Sequence, residues 1–215
     1  ANNGLLQVLR DEKLKTDDQL FFANEDKFIN GPLLWSDLKT LAKIATKRDG
    51  KNIQQAFVAI GSGGNVAHAD DIFAALVKQF GGELTDPDRL VTGIHLPISN
   101  DDPKVPGQEA LDLIKSFSDP RNDFYTWSSS MPNSLEALGK GKTIAAFIYP
   151  RDLKKIHDLN PTIDIRLYPL PQMAINAKPV DFASYFSFSL PKAGKKPEIG
   201  LQLISNALSN EAGAS

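Results

Sequence analysis

The residues Gly141-Lys142-Thr143 have the types and order found at the lysine end of a nucleotide-binding phosphate loop. Such a loop needs an earlier glycine, a strand before it and a helix after it, because backbone N–H groups at a helix start must surround the phosphates. Here Glu136 occupies the position of the earlier glycine, and a helical pattern precedes the motif while a strand pattern follows it. The sequence therefore favours a simpler interpretation, in which Gly139 and Gly141 end a helix and turn the chain into a strand.

Residue types suited to catalysis or metal binding are sparse. Ser62 lies between Gly61 and Gly63 but lacks the glycine spacing of a nucleophile elbow, and no His and Asp partners can be assigned to it. Asp70 and Asp71 are close enough to His68 to suggest a cation site, although acids on a helix more often form a solvated face. The histidines share no metal-ligand spacing with one another; they are His68, His95 and His157. We therefore predict no enzymatic activity, no metal site and no cofactor.

Composition and charge restrict the classes of partner. The 215 residues include 24 basic and 26 acidic side chains, interspersed, with a net charge of −2. This balance provides no basic face for nucleic acid or for an anionic membrane. The chain has no cysteine, which excludes disulfides and thiol chemistry without fixing the compartment. No apolar run approaches the ~20 residues of a membrane-spanning helix, so we expect a soluble chain or a soluble piece of one.

Apolar residues at three- and four-residue spacing predict four longer helices. These helices are marked by Trp35, Leu38, Leu41, Ala42 and Ala45; by Val66, Ala69, Ile72, Phe73, Leu76, Val77 and Phe80; by Ala110, Leu111, Ile114 and Phe117; and by Leu201, Leu203, Ile204, Ala207 and Leu208. Two shorter helices are predicted to start at Pro132 and Pro150, because proline suits a first helical turn.

Buried or alternating apolar runs predict strands between these helices. The predicted strands cover residues 55–60, 90–96, 143–149, 163–167 and 182–190. Strands interleaved with helices indicate an α/β fold with a mixed or mostly parallel sheet flanked by helices. We expect this α/β unit to span residues 29–208, after a weakly determined segment at 1–28 and before a loose tail at 209–215.

Several short motifs along this unit occur in a familiar order. They are Trp35-Ser36-Asp37-Leu38, Asn65-Val66-Ala67-His68-Ala69-Asp70-Asp71-Ile72, Gly81-Gly82, Met131-Pro132-Asn133-Ser134-Leu135, Gly141-Lys142-Thr143-Ile144-Ala145-Ala146, Asn160-Pro161 and Tyr168-Pro169-Leu170-Pro171-Gln172. In this order they resemble the second lobe of the extracellular solute-binding proteins of bacterial ABC importers, a family that includes the sugar and maltodextrin binders. The resemblance covers roughly residues 20–208.

The resemblance implies a periplasmic-binding-protein-like single lobe in an extracytoplasmic protein, either periplasmic or at the cell surface with a lipid anchor in the full-length protein. Such a lobe captures a small polar solute, for example an oligosaccharide, and presents it to an importer permease. The family's first lobe is missing from this chain, so we expect that lobe to be a partner. The alternative is a lobe recruited as a structural or protein-interaction domain of a cell-surface assembly, without solute binding.

Carbohydrate recognition needs flat aromatic faces and a few fixed polar groups in a cleft that excludes water. Trp127 and Tyr149 are the candidate faces, with Tyr125 a weaker one. The candidate hydrogen-bonding residues are Asn65, Ser128, Ser129, Ser130 and Arg151, and the resemblance places Asn65 and His68 at the cleft edge of a helix start. The competing interpretation is that the aromatic rings pack in the core and the serines cap the next helix. Tyr149-Pro150-Arg151-Asp152 departs from the family pattern, which leaves the ligand open.

These assignments predict which side chains are buried. Trp127, at the edge of the expected cleft, should be partly exposed, whereas Trp35 lies on the apolar stripe of the first helix and should be buried. Leu76 on the second helix and Phe147 on the strand at 143–149 should also be buried.

Overall fold

The computed structural model describes residues 33–86, 91–99, 101, 103–174, 178–181, 189–192, 194 and 196–209. It divides the chain into two compact units, Ala1–Phe182 and Ala183–Ser215. The weakly determined segment at 1–28 lies outside the described residues, as does the tail beyond Ser209, which is itself the last residue of a helix.

The first unit is organised around a three-stranded sheet. Its strands are β1 (Lys47–Asp49), β2 (Asn52–Val58) and, much later in the chain, β5 (Thr143–Ala145), in the order β1-β2-β5. β1 and β2 are antiparallel, whereas β2 and β5 are parallel, with Ala56 opposite Thr143 and Val58 opposite Ala145. The sheet is therefore mixed, and the predicted α/β class is confirmed.

The helices of the first unit follow the predicted apolar periodicities closely. They are α1 (Trp35–Ala45), α2 (Ala69–Gln79), α3 (Pro106–Ser116), α4 (Ser134–Gly139) and α5 (Asp152–Leu159). A small antiparallel pair, β3 (Thr85–Asp86) and β4 (Val91–Thr92), lies between α2 and α3 in the chain. Asn133 caps α4 by accepting a hydrogen bond from the Leu135 N–H at 3.0 Å.

The main core lies where α1, α2 and α3 pack with the inner half of β2. Its fully or nearly fully buried residues include Trp35, Leu38, Leu41, Ala42, Phe57, Val58, Ile60, Leu76, Val77 and Phe117. The predictions for Trp35 and Leu76 are confirmed. The Trp35 indole N–H is not left unpaired in this core, because it donates to Gln79 Oε1 at 2.8 Å.

Three strand predictions need correction. β5 ends at Ala145, and Phe147 is only half-buried, because β2 ends at Val58 and offers no neighbour for a longer ladder. Residues 163–167 form no strand; Ile163 and Ile165 alternate because they pack against a second small core of Leu135, Leu138 and Ile156. In the predicted run at 90–96, residues 91–96 are described, and of these only Val91–Thr92 form a strand. Most of the run at 182–190, residues 182–188, lies outside the described residues.

The segment before α1 pairs with a segment late in the first unit. Leu34 and Gln172 form a parallel bridge, in which Trp35 N–H donates to the Gln172 carbonyl at 3.1 Å and Gln172 N–H donates to the Leu33 carbonyl at 2.9 Å. The Gln79 side-chain amide donates to the Pro171 carbonyl at 2.9 Å and to the Val180 carbonyl at 3.0 Å, which fastens the late segment to α2.

The second unit contains the predicted last helix, α6 (Pro197–Ser209). Its apolar side chains include three that are more than half exposed: Ile199, Leu201 and Leu203. Among the described residues, no helix is both long enough and apolar enough to span a membrane.

Replacing Leu76 with alanine should lower the free energy of unfolding by about 2–5 kcal/mol, because a fully buried leucine leaves a cavity in a packed core. Leu111→Ala is the matched control, since Leu111 is 45% exposed on α3 and should change stability by less than about 0.5 kcal/mol. Urea unfolding of both variants measures the difference. Equal losses at the two sites would show that the packed face of α2 is misassigned.

Candidate functional site

The parallel pairing of β2 with β5 brings two loops to one edge of the sheet. The loop after β2 leads through Gly61 to Gly64 into α2, and the loop after β5 leads into α5. Because both strands end at the same edge, the residues just before α2 and α5 face one another there. In open α/β sheets this carboxyl edge is where ligands bind.

His68 connects the two loops. Its Nε2 lies 2.7 Å from Asp152 Oδ2, and both side chains are mostly withdrawn from solvent, with 21% and 13% of their surface exposed. His68 has a φ of 58°, in the left-handed region, and is the one described non-glycine residue with a positive φ. A non-glycine residue in that conformation is uncommon and is found at functional sites more often than elsewhere. The bent backbone and the short contact hold the imidazole against the start of α5.

Tyr149 is fixed at both ends. Its hydroxyl donates to Asp71 Oδ2 at 2.8 Å, and its backbone N–H donates to Asp152 Oδ2 at 2.8 Å. The edge of its ring meets the His68 ring at a centroid distance of 4.7 Å and an interplanar angle of 77°. Burial, followed by the hydrogen bond to Asp71, raises the pKa of Tyr149 to about 12. The phenol therefore stays protonated and donates to Asp71 throughout the neutral range.

Arg151 covers the Tyr149 ring. Its guanidinium carbon lies 4.6 Å from the ring centroid, and the residue as a whole is exposed. A guanidinium held over an aromatic ring by a cation–π contact still has N–H groups available for hydrogen bonds. We call the five residues His68, Asp71, Tyr149, Arg151 and Asp152 the strand-edge cluster.

Trp127 does not belong to this cluster, and the prediction that it is partly exposed is wrong. Its side chain is fully buried in the main core, and its indole N–H donates to Asn65 Oδ1 at 3.0 Å. The Asn65 amide nitrogen donates to the Ser128 and Met131 carbonyls at 2.9 and 2.8 Å. All the polar groups of the Asn65 side chain are thus used to hold the loop before α4. Asn65 is a structural residue here, and Trp127 is no ligand platform.

The serine run is also separate from the strand-edge cluster. Ser128 is half-buried and its hydroxyl lies 2.8 Å from that of Ser130, whereas Ser129 is exposed. The interpretation in which these serines cap the following helix is wrong as well, because Asn133 caps α4. Tyr125 is 5% exposed and packs in the interior, as the competing interpretation expected.

Of the predicted site residues, the structure therefore brings together His68, Tyr149 and Arg151. Sequence reasoning did not assign the two carboxylates that organise them. Asp71 was expected on a solvated helix face, yet it accepts the Tyr149 hydroxyl; its neighbour Asp70 is the exposed one. The only local signal for Asp71 was its spacing of three from His68, and the 4.0 Å between His68 Nδ1 and Asp71 Oδ2 reflects that spacing.

The phosphate-loop motif Gly141-Lys142-Thr143 lies at the turn between α4 and β5. Gly141, with φ 67°, follows the end of α4 and leads into β5, so a helix precedes the motif and a strand follows it. That order places no helix N-terminus at Gly141-Lys142-Thr143 and confirms the interpretation as a helix-ending turn.

A surface depression of ≈470 Å³ lies beside the end of α3 and is lined by Lys115, Ser118, Asp119 and Arg121 among others. Its charges satisfy one another: Arg121 Nε and Nη2 donate to Asp119 at 2.6–3.0 Å, and this pairing lowers the pKa of Asp119 to about 2. The depression has no comparable set of buried polar groups, so the strand-edge cluster is the better candidate site.

No family model, no curated protein and no solved structure matches the chain. Within the described ranges, no three His, Asp or Glu side chains are grouped so as to hold a metal ion. The chemistry of the site therefore lies in the strand-edge cluster itself. It offers a cation, an imidazole and a phenol ring, held in place by two carboxylates.

The raised pKa of Tyr149 makes a pH-dependent contribution to stability. Since the folded-state pKa is about 12 and the ordinary value is 10.0, this contribution is complete below pH 10 and is lost as the pH rises towards 12. Near-ultraviolet titration of the wild type minus Tyr149→Phe isolates the ionisation of Tyr149, which should be centred near pH 12 and not at 10.0. Asp71→Asn should lower that pKa while burial still keeps it above the ordinary value.

Ionisation of Tyr149 at the ordinary tyrosine pKa of 10.0 would contradict the hydrogen bond to Asp71.

Proposed function

We propose that the chain is the ligand-binding lobe of an extracytoplasmic solute-binding protein of a bacterial ABC importer, and that it captures a small polar solute such as an oligosaccharide. The observation that carries the proposal is the strand-edge cluster. An imidazole, a phenol ring and a guanidinium converge at the carboxyl edge of two parallel strands, where α/β sheets bind ligands. The ordered motifs from Trp35 to Gln172 support the same family, with a periplasmic-binding-protein-like lobe as its fold.

A hinge completes the proposal, because at a hinge a few residues absorb the rotation of one body against another. In the proposal, closure of this lobe against the family's first lobe encloses the solute, and the closed form is presented to the importer permease.

Each cluster residue has a role in this proposal. His68 and Arg151 hydrogen-bond the solute, while Asp71 and Asp152 hold Tyr149 and His68 in the geometry that binding needs. Fixed side chains lose little conformational freedom on binding, which favours affinity. The proposal includes no catalytic step and no cofactor, and the net charge of −2 gives no reason to include nucleic acid among the partners.

One observation favours the alternative, a structural or protein-interaction domain of a cell-surface assembly without solute binding. Helix α6 exposes Ile199, Leu201 and Leu203 by 54%, 59% and 71%. Ile199 and Leu203 are four residues apart and share one face of the helix, and exposed apolar side chains that share a face are typical of protein contact sites.

Saturation-transfer NMR of the chain with a panel of neutral oligosaccharides tests the proposal, because this method detects the weak binding expected of one wall of a cleft. We expect transfer to at least one sugar, lost in His68→Ala and in Tyr149→Ala because both remove a fixed group of the cluster. Ser129→Ala is the control, since its exposed side chain lies outside the cluster and its loss should change nothing. Silence across the panel, together with self-association of the chain, would favour the interaction domain instead.

A further inference from the structure

The arrangement of donors and acceptors in the strand-edge cluster restricts the chemistry of its ligand. Asp152 Oδ2 already accepts from Tyr149 N–H and lies 2.7 Å from His68 Nε2, and Asp71 Oδ2 already accepts from the Tyr149 hydroxyl. The nearest carboxylate oxygens are therefore engaged by the protein's own donors. A ligand would gain little by donating to them, because it would have to displace those bonds.

Unlike these carboxylates, the guanidinium of Arg151 is not engaged by hydrogen bonds within the described part of the protein. In the part of the chain that the structure describes, its guanidinium has one partner, the Tyr149 ring, and makes no hydrogen bond or ion pair with a carboxylate. Asp152, its neighbour in the sequence, turns to His68 instead. The edge of the guanidinium thus presents N–H donors to solvent, above a ring that the rest of the cluster holds in place. Of the groups in the cluster, the guanidinium has the largest open hydrogen-bonding capacity, since His68 can add only its Nδ1, and the guanidinium can only donate.

We propose that Arg151 binds the carboxylate of an acidic sugar, so that the solute of this site is a hydroxylated monocarboxylate such as a uronic acid. This inference rests on the proposed function and names the solute class of the same site. A planar carboxylate matches the fork of a guanidinium with two parallel hydrogen bonds, and the contact with the Tyr149 ring limits where that fork can lie.

The neighbouring charges favour a single carboxylate over a phosphate. Asp70, Asp71 and Asp152 all lie within the turns that carry His68 and Arg151, so the surroundings of the guanidinium are already negative. A phosphate carries more negative charge than a carboxylate, so these aspartates repel it more strongly. Arg151 offers the same single guanidinium to both, so the attraction does not grow to match. Tyr149 serves in this arrangement as the platform for Arg151, which corrects its expected role as an open face for a sugar ring.

Glucose, glucuronate and glucose 6-phosphate test the inference, because they differ at one carbon only. Titrations followed by NMR should show glucuronate binding roughly 10- to 100-fold more tightly than glucose, the range expected for charge-assisted hydrogen bonds. Glucose 6-phosphate should bind more weakly than glucuronate. The Arg151 Nε–H resonance should shift on addition of glucuronate.

Three variants assign the effect to Arg151. Arg151→Gln should abolish the preference for glucuronate over glucose, and Arg151→Lys should retain only part of it, because a point charge cannot form the fork. Arg121→Gln is the control: it removes another exposed arginine, whose guanidinium is paired with Asp119, and should leave the preference unchanged. Since Arg151 is exposed, its variants should fold, which thermal melts check.

The failures are distinguishable. Equal binding of glucose and glucuronate, or a preference that survives in Arg151→Gln, overturns the inference and leaves the proposed function standing. Tighter binding of glucose 6-phosphate overturns the choice of a single carboxylate. No response to any of the three also overturns the inference, and if the neutral oligosaccharide panel is silent as well, the proposed function falls with it.

Discussion

The parallel pairing of β2 with β5 is the interaction on which the rest of this molecule depends. The two strands are joined by few bonds, among them Ala56 N–H to the Lys142 carbonyl at 2.9 Å and Ala59 N–H to the Ala145 carbonyl at 3.1 Å. These bonds join segments that are more than 80 residues apart in the chain. Without them nothing in the local sequence would bring the loop before α2 to the loop before α5. Since parallel strands end at the same edge, the pairing also decides which side of the sheet carries the polar cluster.

Electrostatics then fixes the cluster in detail. Asp152 receives two donors, His68 Nε2–H and Tyr149 N–H, and Asp71 receives the Tyr149 hydroxyl. Partly buried carboxylates of this kind need such donors, because an unpaired charge withdrawn from water is costly. The consequence is a fixed frame, beside which the guanidinium of Arg151 keeps its N–H donors open to solvent. The Asp119–Arg121 pair shows the contrasting case, in which an exposed arginine closes on its neighbour and leaves nothing for a ligand.

The helices of the first unit could be predicted from the sequence because apolar periodicity is a local property. The stripe of Trp35, Leu38 and Leu41 predicts α1 without reference to the rest of the chain. β1 could not be predicted in this way, since Lys47, Arg48 and Asp49 have no apolar alternation and become a strand only because β2 lies beside them. The prediction of a buried Phe147 on a strand was wrong for a related reason. β5 ends at Ala145 because β2, its hydrogen-bonded neighbour, ends at Val58.

In the candidate site, too, residues marked by local sequence could be predicted and residues placed by distant contacts could not. His68, Tyr149 and Arg151 could be proposed from residue type and from motif order, whereas their carboxylate partners could not, because Asp71 and Asp152 act on residues 78 and 84 positions away. Trp127 was misplaced because its burial depends on Asn65, a hydrogen-bond acceptor 62 positions away. The residues next to Trp127 in the sequence suggested a position at a cleft edge, whereas its contact with Asn65 places it in the core.

The central claim is that the two loops meet through His68 and Tyr149 in the ligand-free protein. Nuclear Overhauser spectroscopy with selectively labelled histidine and tyrosine measures this contact directly. Rings whose centroids are 4.7 Å apart should give strong cross-peaks between the His68 imidazole and Tyr149 ring protons, and these should disappear in His68→Ala. The absence of those cross-peaks in a protein whose α2 and α5 are folded would contradict the account.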